Sequence, residues 1–445
     1  MANSINQYID IYSGNHATIC SGSAPVMNAV RDTAFADFRR LGFPTRKVER
    51  YKYIDTAEYF APDYGLNLRG LNIPVNPYSA FKCGVPNLST SLYFVVNDRF
   101  YTAALPKASL PDGVIVGSLR EYAEKCDFIA DYYGRIAATS DDAVTALNTM
   151  LAQDGLLVYV PKNVKVERAI QVVNILRGDV DMMVNRRVLV IVEDGAEVQL
   201  LFCDDTADGC NFLGTQVVEA FVGERTSLKM YCLEETHAKN TRFSNVYISQ
   251  QRDSSVSHNI VTLHNGVTRN RLDVMMEGEG AECTLNGAVI GDKNQHIDNN
   301  TLISHKAPNQ SSRQLYKYVL DDDAQGAFAG RVLVNPAAQK INSREINQNL
   351  LASDNARMFT QPMLEIYADD VKCSHGSTVG QLNDQALFYM RQRGISLQEA
   401  RTLLQLAFIN EVVDNIELQP LRDRLHHLVE MRFRGKLGNC ALCAN

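Results

Sequence analysis

Tryptophan is absent from the 445 residues, so aromatic packing falls to 19 tyrosines and 17 phenylalanines. Long apolar runs are absent too. Stretches such as LLVYV (156–160) fall well short of the roughly 20 residues that a membrane-spanning helix needs, which excludes such a helix. Basic residues do not dominate: 44 Lys and Arg stand against 51 Asp and Glu, interspersed along the chain. A net charge of −7 lacks the basic face that a nucleic-acid partner requires. A phosphate-binding loop is missing as well, because RGKLG (434–438) has neither the first glycine nor the Ser/Thr of that motif. The chain is therefore not expected to hydrolyse ATP by itself. The first residues, MANSINQYIDIYSG, have neither the basic nor the apolar stretch of a secretory leader. With ten scattered cysteines, this reads as a cytoplasmic protein with free thiols, disulfides being the lesser reading.

What is there points to more than one domain, since the length exceeds what one compact core usually supports; an elongated repeat is the main exception. Residues 1–152 form a mostly helical N-terminal domain in this reading. SAPVMNAVRDTAFADFRRLG predicts one helix, with Ser23 as N-cap, Val26, Val30, Ala34, Phe38 and Leu41 at helical spacing and Gly42 just past the end. LYFVVNDRFYTAAL predicts a hairpin, and SLREYAEKCDFIADYYGRI and SDDAVTALNTMLAQDG predict helices.

From Gly155 to Gly380 the texture changes to strand-like runs rich in β-branched residues, such as RRVLVIVEDGAEVQLLFC. A polar or glycine corner followed by an alternating strand recurs at 192–200, 222–230, 251–260, 276–285, 320–330 and 367–376. The intervals are roughly 27–30 residues and then about twice 22, a period that suits stacked coils of strands. A strand solenoid over 153–380 is the preferred architecture; a long antiparallel sandwich shares the alternation and stays open on periodicity alone. Residues 381–445 read as a C-terminal helical domain. Within it SLQE (396–399) is a capping box, and the helix that follows is apolar over more than one stripe.

The stretch ADDVKCSHGSTVG (368–380) concentrates the chemistry. On a strand, Cys373 and His375 share one face while Asp370, Lys372 and Ser374 share the other. Thiolate and imidazole suit zinc, copper(I) or iron bound with sulfide, yet two ligands cannot close a site. The bland reading is a small apolar thiol and a satisfied histidine in a strand layer. A nucleophilic Cys–His pair lacks an orienting third group. Asp321, Asp322 and Asp323, or Asp369 and Asp370, could serve a calcium or lyase-type site, though corner acids are usually just solvated. The terminal CALC (Cys440, Cys443) has CxxC spacing without a second CxxC or a βαβ context. His237, His258, His264, His296 and His305 show no metal-binding spacing, and His426 and His427 lie on a polar helix.

The run from HKAPNQSSRQLYKYVLDDDAQGAFAGRVLVNPAAQKINSREINQNLLAS to QPMLEIYADDVKCSHGSTVGQLNDQALFYMRQRGISLQEARTLLQLAF resembles the SufB/SufD family of iron–sulfur cluster assembly proteins. FPTRKVERYKYID (43–55) resembles that family's N-terminal signature, with Tyr51 where tryptophan is usual. Ser377 stands where alanine is more common. ADDVKCSHGSTVG is similar to the SufD branch, since SufB members carry a glutamate-containing sequence there.

The resemblance implies a right-handed parallel β-helix between helical N- and C-terminal domains. It also implies a non-catalytic scaffold that pairs with a SufB-like paralogue through β-helix edges and binds a SufC-like ABC ATPase through its C-terminal helices. Leu404, Phe408 and Val412 would form that docking face. His375 and Cys373 would be ligands of a transient cluster completed by the partner, with no permanent cofactor of the chain's own. A flavin on the assembled complex is compatible with the resemblance, and self-association into a homodimer fits an unpaired edge. Two other functions are weighed beside it: a β-helix enzyme acting on acidic polysaccharide through the aspartates, and an autonomous metal-binding protein.

Overall fold

The computed structural model describes residues 2–71, 73–77, 90–103, 110–206 and 209–435. The N-terminal region contains α1 (Ala2–Ser21), α2 (Pro25–Asn28), α3 (Arg31–Leu41), α4 (Thr56–Phe60), α5 (Leu119–Ala123) and α6 (Ala143–Leu151). Its strands are β1 (Ser91–Val96), β2 (Arg99–Phe100) and β3 (Ile115–Ser118). Then come β4 (Leu156–Val160), β5 (Ile170–Leu176), β6 (Met182–Val192), β7 (Glu197–Thr206), β8 (Phe212–Val222), β9 (Ser227–Glu235), β10 (Thr241–Gln250) and β11 (Ser255–His264). They continue as β12 (Val267–Met276), β13 (Glu282–Gly291), β14 (His296–His305), β15 (Ser311–Leu320), β16 (Gln325–Val334), β17 (Ile341–Leu351), β18 (Arg357–Ile366) and β19 (Val371–Gly380). The chain closes with α7 (Asp384–Gln392), α8 (Leu397–Val413) and α9 (Gln419–Phe433).

From β4 onward the strands alternate between two sheets, even-numbered in one and odd-numbered in the other, and successive neighbours within each sheet are parallel. This is a parallel β-solenoid of about eight turns, and the sandwich is excluded. Matching residues stack in register from coil to coil, so one inward position repeats as a column. Val190, Ala220, Ile248 and Val274 form one such column in the aliphatic core between the sheets.

The corners explain the recurring phrase. On one side, Gly195 (φ 70°), Arg225 (φ 52°), Asp253 (φ 54°), Gly280 (φ 72°), Asn309 (φ 59°) and Lys340 (φ 59°) all adopt left-handed backbone. That turns the N–H along the solenoid axis. Gly195 donates to the Glu224 carbonyl at 2.8 Å, Arg225 to Arg252 at 2.8 Å and Asp253 to Glu279 at 2.9 Å. The corner at 320–323 belongs to the opposite stack, where the Asp323 N–H reaches the Lys293 carbonyl at 3.0 Å. The apparent period of twice 22 arose from comparing corners on opposite sides.

Each outer face is covered by helices. α6, buried at every position and N-capped by Asp142, lies on the even sheet, and the Asn148 amide donates to the Arg186 carbonyl at 3.0 Å. α8 and α9 cover the odd sheet: Ile409, Val413, Leu425 and Val429 pack against Tyr231, Val261 and Ile290. The sheets begin before residue 153, because β1 pairs in parallel with β5 and β3 pairs antiparallel with β4.

Two N-terminal expectations need correction. The single helix over 23–42 is broken into α2 and α3, and Ser23 caps neither. Its hydroxyl instead accepts from Arg31 Nη2 at 2.7 Å, while Arg31 Nη1 reaches the Met150 carbonyl at 3.0 Å. A buried guanidinium there satisfies carbonyls at the C-terminal end of α6. The pattern 118–136 yields only the short α5 and a 3₁₀ turn, Asp127–Asp131. The hairpin is present as β1–β2, turning at Asn97 (φ 56°). Among the described residues no helix is long and apolar enough to cross a membrane.

Candidate site at the open end of the solenoid

The helices stop short of the last coil. β18 and β19 are end strands of their sheets, and most of their residues are exposed or half-buried. Ile366, Tyr367 (63% exposed) and Val379, on or beside these two strands, form an exposed apolar rim at this end.

β19 pairs with β17 in the register Cys373↔Ser343, His375↔Glu345 and Ser377↔Asn347. Ser343, Glu345 and Asn347 are buried, and residues in register across parallel strands point the same way. Cys373, His375 and Ser377 therefore line the mouth of the solenoid interior, and Cys373 and His375 share a face as the alternation predicts. The far wall is β18, whose Thr360 hydroxyl lies 2.7 Å from that of Ser377. An alanine at 377 could not make this bond.

Cys373 is half-buried beside Leu364, Val371, Val332 and Ile341. Burial raises its thiol pKa, opposed by the Ser343 backbone N–H. Burial therefore favours the neutral thiol over the thiolate that a metal ion would bind. The His375 side chain is exposed. Beneath it, Glu345 is completely buried, and burial pushes its carboxyl up to about 8. Beneath Cys373, Ser343 bonds Ser312 at 2.8 Å, and Ser312 bonds His305 Nε2 at 3.0 Å. Burial lowers His305 to about 4, so it stays neutral. Among the described residues, no three His, Cys, Asp or Glu side chains are placed to hold a metal ion. A site at the mouth must draw further ligands from elsewhere.

The other candidates lie apart. Cys232 and His258 approach to 3.7 Å inside the solenoid. Burial pushes the thiol up to about 12 and the imidazole down to about 4, which leaves both neutral. Asp321, Asp322 and Asp323 occupy one stack of corners, and Asp369 and Asp370 the other. The Asp322 carboxylate accepts from the Lys293 N–H at 3.1 Å, and the Asp370 carbonyl from Lys340 at 2.6 Å. Both groups serve turns, and they do not form one carboxylate site. His426 pairs with Asp414 at 3.0 Å on the helical surface. Cys440 and Cys443 lie outside the described residues.

On α8, Ser396 caps as the sequence predicts, accepting from the Glu399 N–H at 3.2 Å. Leu404 and Phe408 keep accessible surface, and Phe408 carries the Lys317 ammonium 4.4 Å from its ring centre. Val412 is buried in the stripe facing the odd sheet. It sits on the same side of the helix as Ile409 and Val413, so it is a core residue and not part of an exposed docking face.

Residues 174–408 match the family model described as SUF system FeS cluster assembly, SufBD core domain, and residues 2–172 match the SufBD protein N-terminal region. The chain belongs to the SufBD family. An iron–sulfur cluster assembly SufBD family protein of Synechocystis is 29% identical over 410 residues, 88% of each chain. The iron–sulfur cluster assembly protein SufD of Escherichia coli is 28% identical over 400 residues, 89% of this chain and 90% of its own. That of Bacillus subtilis is 25% identical over 314 residues, covering 70% and 72%.

Within this SufBD-family chain, the N-terminal signature segment crosses the even sheet. Tyr51 donates to Asp142 at 2.6 Å and lies under Arg269 at 3.8 Å, while Tyr53 stacks on Phe359 of β18 at 4.9 Å. Sequence reasoning passed over Glu345. Its signal was available in SREINQN, an alternating strand whose inward positions, Ser343, Glu345 and Asn347, are all polar.

Proposed function

We propose that this SufBD-family chain acts as a SufD-type scaffold, not as an enzyme, in a cytoplasmic iron–sulfur cluster assembly complex. The observation that carries the reading is the uncovered last coil. Its edge strands leave backbone donors and acceptors unpaired beside an apolar rim, with Cys373 and His375 at its mouth. Such an edge is a template for pairing with another strand. The partner is a SufB-like paralogue, whose residues complete the ligand set for a nascent cluster handled as cargo. A SufC-like ATPase docks on the C-terminal helices, at α8 around Leu404 and the accessible edge of Phe408.

The test is anaerobic reconstitution of the co-expressed three-protein complex. At equal complex yield, His375→Ala is expected to lose most of the visible cluster absorption. Unchanged absorption would make the motif structural and sink the reading.

A further inference from the structure

Resting on that reading, we infer that Glu345 is a metal-binding residue of the mouth: with the His375 imidazole it forms an oxygen–nitrogen pair that receives a divalent first-row cation of the iron type. Three observations converge. The register sets Glu345 directly beside His375 on the adjacent strand, on the same face. The carboxyl is completely buried yet poorly satisfied: Oε1 has no hydrogen-bond partner, and Oε2 has only the Gln314 amide at 3.4 Å. And no cation neutralises it among the described residues.

That last feature separates Glu345 from the other acids buried in the strands. Glu219 faces Arg187, Glu234 faces Arg242, Asp204 faces Arg186, and Asp298 lies 3.8 Å from Arg269. Space for the carboxyl is provided from across the interior, where β16 carries Gly330. A Cβ there would stand only 2.2 Å from Glu345 Oε1. An acid kept in a strand column without an arginine, below an exposed imidazole at an open end, is suited to a cation that arrives from outside. Carboxylate and imidazole together accept divalent iron, with water, Cys373 or the partner chain filling the remaining positions.

The experiment is an anaerobic titration of the full-length chain with Co²⁺, a spectroscopic stand-in for Fe²⁺, followed by calorimetry and visible absorption. Glu345→Gln and His375→Ala are each expected to weaken binding by tenfold or more. Glu345→Asp, which keeps the charge, restores part of the affinity. Apo thermal midpoints at or above that of the wild type establish that the variants fold. If His375→Ala weakens binding and Glu345→Gln does not, the role of Glu345 is overturned while the reading of His375 stands. If neither variant changes binding, or the wild type binds nothing, both fall.

Discussion

Asp142 shows how a single residue ties the N-terminal region to the solenoid. It caps α6 through the Thr145 N–H at 2.8 Å, accepts from the Tyr51 hydroxyl, and pairs with Arg271 at 3.0 Å. Burial opposes its charge, but Arg271, Arg269 and the Tyr51 hydrogen bond outweigh burial and hold the carboxyl at about 2. Because the folded value lies below the ordinary 3.8, the stabilisation is present above that pH and is lost as pH falls toward 2. The gap corresponds to about 2 kcal/mol. Asp142→Asn is expected to lower the urea midpoint relative to wild type at pH 6, and the difference should shrink on acidification toward pH 2. At this scale the sequence placed Cys373 and His375 on one face of a strand through spacing alone. It hid Glu345, because an acid in an alternating strand looks solvated until its neighbours in the next coil are known.

Among the elements, β18 is held from outside at few points. Tyr53 stacks on Phe359 and donates to Gln361 Oε1 at 3.3 Å, and Glu49 accepts from the Gln361 amide at 3.3 Å. An aromatic pair of this kind contributes about 0.5–1.5 kcal/mol. Tyr53→Ala should speed hydrogen exchange across residues 357–366 by roughly tenfold, the ratio that about 1.4 kcal/mol corresponds to, and leave β6 and β8 unchanged. Uniform acceleration along the solenoid would contradict this local role. Element boundaries were legible where a cap or a terminal glycine marks them, as at Ser396 and Gly42. α1 was not foreseen. It has no acid in its first turn and no base in its last, and two of its core contacts are the tyrosines Tyr8 and Tyr12.

For the whole molecule, the two ends of the solenoid differ. At the N-terminal end, antiparallel β2 and β3 finish the sheets. Among the described residues the other end has no cap, which repeat folds need in order to stay soluble or else use for association. Tyr367→Lys combined with Val379→Lys is expected to abolish pairing with the SufB-like chain in light scattering, while binding of the SufC-like ATPase at α8 persists. Loss of both would point to misfolding, and loss of neither would place the interface elsewhere.

The sequence by itself determined the alternation of strands and corners, the helical flanks and the shared face of Cys373 and His375. These follow from local rules: a period of two along a strand, left-handed residues at turns, and caps at helix ends. Only the tertiary structure decided which corners stack, which acid lies beside His375, and that Val412 faces the sheet while the last coil is left bare. Those facts depend on pairing between residues a full coil or more apart, and no local pattern encodes that register.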